Sequence, residues 1–138
     1  MAVIAVFGGT FNPFHIGHYE MLKSVCELTF IDKVFLTPDR IPPHKKCDFL
    51  ASDEDRIEMC RIAAKDFSKC ELCLIEFERE GKSYTYDTVC DLKQKFSLFY
   101  FYLLLHLDAL CLYQSECSSI LTLIYNAQTS ISLRRRKM

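Results

Sequence analysis

Between Gly8 and His18 the chain reads Gly8-Gly9-Thr10-Phe11-Asn12-Pro13-Phe14-His15-Ile16-Gly17-His18. Two imidazoles either side of a glycine, with a threonine hydroxyl and a glycine pair upstream, are the residue types that hold an anion. Glycine lets a backbone approach a ligand and turn without a side-chain clash. Thr10 adds a hydroxyl and an N–H, and His15 and His18 supply ring donors at the start of a helix, where backbone N–H groups already favour negative charge. A nucleotide phosphate is the anion that suits this set.

Such residues act together only if a strand and a helix deliver them. The apolar run Ala2–Phe7 scarcely alternates, as in a central parallel strand covered on both faces. It ends at the glycine pair, and the carboxyl ends of parallel strands are where open α/β sheets take ligands. A helix is expected from about Gly17 to Thr29, then a strand over Val34-Phe35-Leu36. Pro38, Pro42 and Pro43 bar regular structure in the next loop, which carries His44, Lys45 and Lys46. Ser52-Asp53-Glu54-Asp55 is a capping box with acidic residues in the first turn. Ile57, Cys60, Ala64 and Phe67 then follow at helical spacing. Arg56, in that first turn, reads as a surface salt-bridge partner of Asp53 or Asp55. Leu72–Phe77 is the third expected strand, Arg79-Glu80-Gly81-Lys82 a turn, and Thr85–Lys95 a helix with Val89, Leu92 and Phe96 inward. The alternation of strand and helix implies an α/β fold with a doubly wound, right-handed parallel sheet.

The block Gly8–His18 resembles the signature of the nucleotidyltransferase superfamily with the His-x-Gly-His motif, and in its full form the nicotinate mononucleotide adenylyltransferases. Pro38-Asp39-Arg40-Ile41-Pro42-Pro43-His44-Lys45 is similar to that family's loop after the second strand. Gly81-Lys82-Ser83-Tyr84-Thr85-Tyr86-Asp87-Thr88 is similar to the segment that opens a later helix. The likeness runs through residues 1–95, the expected nucleotidyltransferase core, with 96–138 as a divergent tail of the same domain. It implies a Rossmann-like fold and adenylyl transfer from ATP, with Mg2+, to nicotinate mononucleotide in NAD biosynthesis. By that resemblance Gly8, Gly9, Thr10 and Phe11 hold substrate through backbone N–H groups. His15 and His18 bind ATP phosphates as the catalytic pair, their protonation favoured by the anionic ligand, and Lys45 adds a point charge. Thr85 would contact the nicotinate carboxylate. Tyr84 beside it either touches the acceptor or packs under the loop. Asp39 stands where members commonly carry asparagine, and is assigned to a ribose hydroxyl because a carboxylate would repel phosphate.

Composition narrows the alternatives. A chain of 138 residues has room for one core. Its net charge of −1 offers no basic field for nucleic acid, so an anion must be bound locally. No secretory signal precedes the first strand, so the eight cysteines read as reduced cytoplasmic thiols. Cys70 and Cys73 lack a second pair or a histidine at zinc spacing and read as small apolar residues; no protein-bound metal is expected.

The tail has a different character. Phe96–Leu133 contains no lysine or arginine, and glycine and proline are absent after Gly81. Leu98–Leu105 stands where the family places its fourth strand. Leu105-His106-Leu107-Asp108-Ala109-Leu110 resembles the family's Gly-x-Asp-x-Leu with His106 in the glycine's place. There is no tryptophan, and Ile131-Ser132-Leu133-Arg134 is at best a remnant of the family's closing motif. Out-of-frame coding after about residue 96 accounts for the lost periodicity, turns and charge together. A membrane segment is the weaker account, because residues 98–113, broken by His106 and Asp108, fall short of the roughly 20 apolar residues of a span. A diverged subdomain ending in Arg134-Arg135-Arg136-Lys137 is the third. The functional alternatives are accordingly an inactive nucleotide-binding remnant, or a nucleotidyltransferase with another phosphate acceptor such as pantetheine phosphate. The expected partners are small molecules, with no nucleic acid or membrane, and with self-association open.

Overall fold

The computed structural model describes residues 2–41, 49–82, 85–96, 100–105 and 124–126. Its elements are β1 (Val3–Gly9), α1 (Ile16–Cys26), β2 (Lys33–Pro38), α2 (Asp53–Ala64), β3 (Cys70–Leu72), a 3-10 turn (Ile75–Glu78), α3 (Thr85–Lys95), β4 (Tyr100–Leu105) and β5 (Ile124–Asn126).

The strands form one sheet in the order β3-β2-β1-β4-β5. Strand β1 lies at its centre, parallel to both neighbours, with Gly8 opposite Thr37 of β2 and Leu105 of β4. Among the described strands only β5 runs antiparallel, against β4. The expected parallel α/β sheet is therefore present, and β4 falls where the fourth strand was expected.

Both faces of β1 are buried, which is why its sequence does not alternate. Ala5 and Phe7 pack with Leu22 and Val25 of α1 and Cys60 and Ala64 of α2 on one face. Ile4 and Val6 meet Phe35, Ile75, Val89 and Leu92 on the other, with Phe96 packed alongside. Helices on opposite faces make the sheet doubly wound, and order changes direction between β1 and β4. In sheets of this kind the crevice at that switch point, beyond the strands' carboxyl ends, receives ligands.

Three expected elements need correction. Helix α1 starts one residue earlier and stops at Cys26. Glu27 ends it, and the chain turns so that Ile31 reaches the core. The expected strand Leu72–Phe77 is instead the short β3 followed by the 3-10 turn. Pairing with β2 covers Val34–Leu36, Cys73 makes one more bond to Leu36 O, and the partner strand runs out at Pro38, which has no N–H. Ile75 then turns into the second core cluster and Glu76 is buried against the Thr88 hydroxyl. On α2 the buried positions are Arg56, Cys60, Ala63 and Ala64, while Ile57 is only half-buried. The Ser52 cap forms as expected, its hydroxyl accepting the Asp55 N–H at 3.1 Å.

Among the described residues no helix is long and apolar enough to cross a membrane.

Candidate active site

The carboxyl end of β1 and the N-terminus of α1 meet through a turn held by its own side chains. Phe11 has φ 51°, a left-handed conformation costing a non-glycine residue about 1–2 kcal/mol. Its ring is 1 % exposed and packs edge-on to Phe7 at 5.6 Å and to His18 at 5.1 Å. Full burial of a phenyl ring is worth about 1.5–3 kcal/mol, enough to offset that strain. Gly9 makes room for it, since a Cβ there would lie 3.1 Å from Phe11 Cζ. At Gly8 a Cβ would make only ordinary contact, 3.7 Å from Thr37 O. The two glycines are thus not equivalent: packing is tight at Gly9, whereas at Gly8 a Cβ meets only ordinary contact.

His15 and His18 form the capping box of α1. His15 is the N-cap, and its Nδ1 accepts the Gly17 N–H at 3.1 Å. His18 Nδ1 accepts the His15 N–H at 3.1 Å. The rings stack with centroids 3.7 Å apart, His15 exposed and His18 buried. A capping box ordinarily pairs serine or threonine with glutamate, and here imidazole does both jobs. A nitrogen that accepts a backbone N–H carries no proton, so the ring hydrogen of each histidine sits on Nε2. That arrangement makes Nε2–H the ring donor of each histidine. Gly17 belongs to the same device, because a Cβ would meet the His15 ring at 3.0 and 3.1 Å.

Around this turn Asn12 anchors the segment ahead of α2. Its amide donates to Phe49 O at 2.7 Å and accepts the Ala51 N–H at 3.0 Å. Asp39, at the carboxyl end of β2, lies beside the β1 terminus, its N–H bonding Gly9 O at 2.8 Å.

Arg56 is the largest departure from expectation. It does pair with Asp53, at 2.8 Å, but is not a surface residue: its side chain is fully buried. Nε donates to Ala51 O, Nη1 to Thr10 O and Asp39 O, and Nη2 to Arg40 O and Asp53 Oδ1. The five acceptors match the five N–H donors of a guanidinium, the condition under which a buried cation is tolerated. Asp53 is half exposed and three residues away on the same helix, which is why the pairing looked superficial in sequence. A clue was present, since Arg56 stands four residues before Cys60 on the apolar face of α2.

Of the expected site residues, Gly8, Gly9, Thr10, Phe11, His15, His18 and Asp39 are therefore gathered at one end of the sheet. Thr85 opens α3. Lys45 and Tyr84, with His44, Lys46 and the segment 106–123, lie outside the described residues.

Burial pushes the Cys60 and Cys70 thiols up to about 12, and burial also raises Cys73. Among the described residues no cluster of His, Cys, Asp or Glu could hold a metal ion.

Comparison with known proteins agrees with this fold. The cytidylyltransferase-like family model matches residues 6–128. The chain is 42 % identical over 96 residues to nicotinate-nucleotide adenylyltransferase of Bacillus subtilis, covering 70 % of this chain and 51 % of that one. It is 43 % identical over 103 residues to the probable nicotinate-nucleotide adenylyltransferase of Bacillus cytotoxicus, covering 73 % and 54 %. It thus spans about half the length of these relatives. The fold matches the Plasmodium falciparum nicotinic acid mononucleotide adenylyltransferase complexed with APC, with TM-score 0.65 and 24 % identity over 87 % of this chain and 59 % of that one. With a glycine turn at the switch point, a histidine-capped helix and a family match across most of its length, the chain belongs to the cytidylyltransferase-like family.

Proposed function

We propose that this chain transfers an adenylyl group from ATP to nicotinate mononucleotide, giving deamido-NAD and pyrophosphate. The observation that carries the reading is the meeting of the β1 turn with the His15–His18 pair at the head of α1. The curated relatives named for this activity support the choice of acceptor.

In this reading a phosphate oxygen of the mononucleotide attacks the α-phosphorus of ATP. A new P–O bond forms, the bond to the β-phosphate bridging oxygen breaks, and pyrophosphate leaves. Catalysis of this kind rests on positioning and charge stabilisation rather than on a covalent nucleophile. His15 and His18 direct Nε2–H donors at the phosphates, and a preorganised donor of this type contributes about 10²–10³ in rate. Backbone N–H groups of the β1 turn add to the grip, with Lys45 as a further charge. Thr85 offers a hydroxyl at the head of α3 to the nicotinate carboxylate, and Asp39 takes a ribose hydroxyl. Magnesium belongs to the substrate as the ATP complex. The described residues provide no cage of their own, and Mg2+ is commonly held largely by phosphates and water. The partners are then small molecules in a cytoplasmic setting. Residues 1–95 act as the core, with 96–138 contributing β4 and β5 and otherwise diverging.

The test is pyrophosphate release from MgATP by the purified chain, with nicotinate mononucleotide, with nicotinamide mononucleotide, with pantetheine phosphate, and with no acceptor. Release dependent on nicotinate mononucleotide is the expected result. Nucleotide binding without release would identify a non-catalytic binding protein. Release only with pantetheine phosphate would assign another acceptor.

A further inference from the structure

Arg56 spends its guanidinium on backbone carbonyls at the carboxyl ends of two adjacent strands. Thr10 follows β1, and Asp39 and Arg40 follow β2. Nη1 bonds both Thr10 O, at 3.0 Å, and Asp39 O, while Nη2 bonds Arg40 O at 3.1 Å. One rigid, planar group therefore ties the turn that follows β1 to the loop that follows β2. Asp53 and Ala51 hold the fork from behind, at 2.8 and 3.3 Å.

The consequence follows from peptide geometry. Within one planar trans peptide the C=O and the N–H point in opposite directions. A guanidinium that grips Thr10 O thereby fixes the plane of the Thr10–Phe11 peptide and turns the Phe11 N–H away from itself. Phe11 is also the residue whose left-handed backbone bends the chain, so this peptide plane decides where the turn's donor faces.

We propose that Arg56 is a positioning residue for the polyphosphate: it presets the Phe11 N–H as an anion donor and sets the spacing of the β1 turn from the β2 loop. It touches no substrate. This rests on the nucleotide-binding reading of the site. The role needs the fork and not merely a positive charge. Lysine would keep the charge but present one nitrogen where four backbone carbonyls and an aspartate are now bound.

The experiment compares the wild-type chain with Arg56→Lys by calorimetric titration with MgATP, by NMR exchange of backbone amides, and by thermal melting. Arg56→Lys is expected to weaken MgATP about tenfold or more, because a preset donor is lost while the charge stays. Exchange should accelerate at the Asp39 amide, whose bond to Gly9 O joins the β1 turn to the β2 loop, while the Leu22 and Val25 amides inside α1 keep their protection. Affinity within about twofold of wild type in a folded variant would overturn the proposal, as would acceleration spread evenly over β1 and α1. If Arg56→Lys does not fold, Asp53→Ala decides. Removing the carboxylate behind Nη2 should accelerate Asp39 exchange and cost about threefold in MgATP affinity, and no change in either would overturn the proposal. A wild-type chain that binds no MgATP would overturn the nucleotide reading itself, an outcome read from a different protein and so distinct from failure of the Arg56 role.

Discussion

His18 accepts the backbone N–H of His15 through Nδ1, and His15 in turn accepts the Gly17 N–H through its own Nδ1. The two rings are at once the cap of α1 and the candidate phosphate donors. Because they differ in burial, substitutions separate the two jobs.

His18→Ala removes a buried ring packed on Phe11 and Phe14 together with a capping acceptor. Stability is expected to fall by about 2–4 kcal/mol, read from urea unfolding, with MgATP binding lost. Affinity retained within a few-fold in folded protein would remove His18 from the site.

His15→Ala touches an exposed ring. The stability cost should be only about 0.5–1 kcal/mol, that of a lost N-cap, while MgATP binding weakens at least tenfold. A stability loss as large as that of His18→Ala, with unchanged affinity, would make His15 purely structural.

Gly17→Ala opposes propensity to geometry. Alanine favours the helix by up to about 1 kcal/mol, yet its Cβ would press on the His15 ring. Melting temperature should change little, and MgATP affinity should drop as the ring is displaced. Unchanged affinity would show that the His15 ring moves without consequence.

Thr85→Ala should raise the KM for the mononucleotide acceptor more than that for ATP, by about tenfold for a hydroxyl bonded to a charged carboxylate. Equal effects on both substrates would make Thr85 structural.

The cysteines predict an alkaline limit. Burial raises Cys60 and Cys70 from 9.0 to about 12, so the unfolded chain loses these protons first as pH rises. Their stabilising contribution is complete below pH 9 and declines between pH 9 and 12, by up to about 1.4 kcal/mol per pH unit for each thiol. Urea midpoints at pH 8, 9 and 10 should fall accordingly, and Cys60→Ala should flatten the slope. A pH-independent midpoint would contradict the buried-thiol account.

By itself the sequence determined the fold class and marked a candidate site. The unbroken apolar β1, the glycine turn and the periodic faces of α2 and α3 are local signals, because burial on two faces, tight turning and helical spacing each leave a mark within a few residues. The His-x-Gly-His motif was legible as a pair of donors for the same reason. Spacing alone did not reveal that the pair caps its own helix and that this sets the tautomer, although His15 and His18 stand three apart as capping-box residues do. Tertiary structure alone decided the rest. Strand β3 stopped at Leu72 because its partner strand ends in Pro38, a fact about β2. Arg56 looked like a surface ion-pair residue because one of its acceptors lies three residues away, whereas Thr10, Asp39 and Arg40 are brought to it only when β1, β2 and α2 close on one another. A buried charge takes its meaning from acceptors distant along the chain, and no local pattern records where those will be.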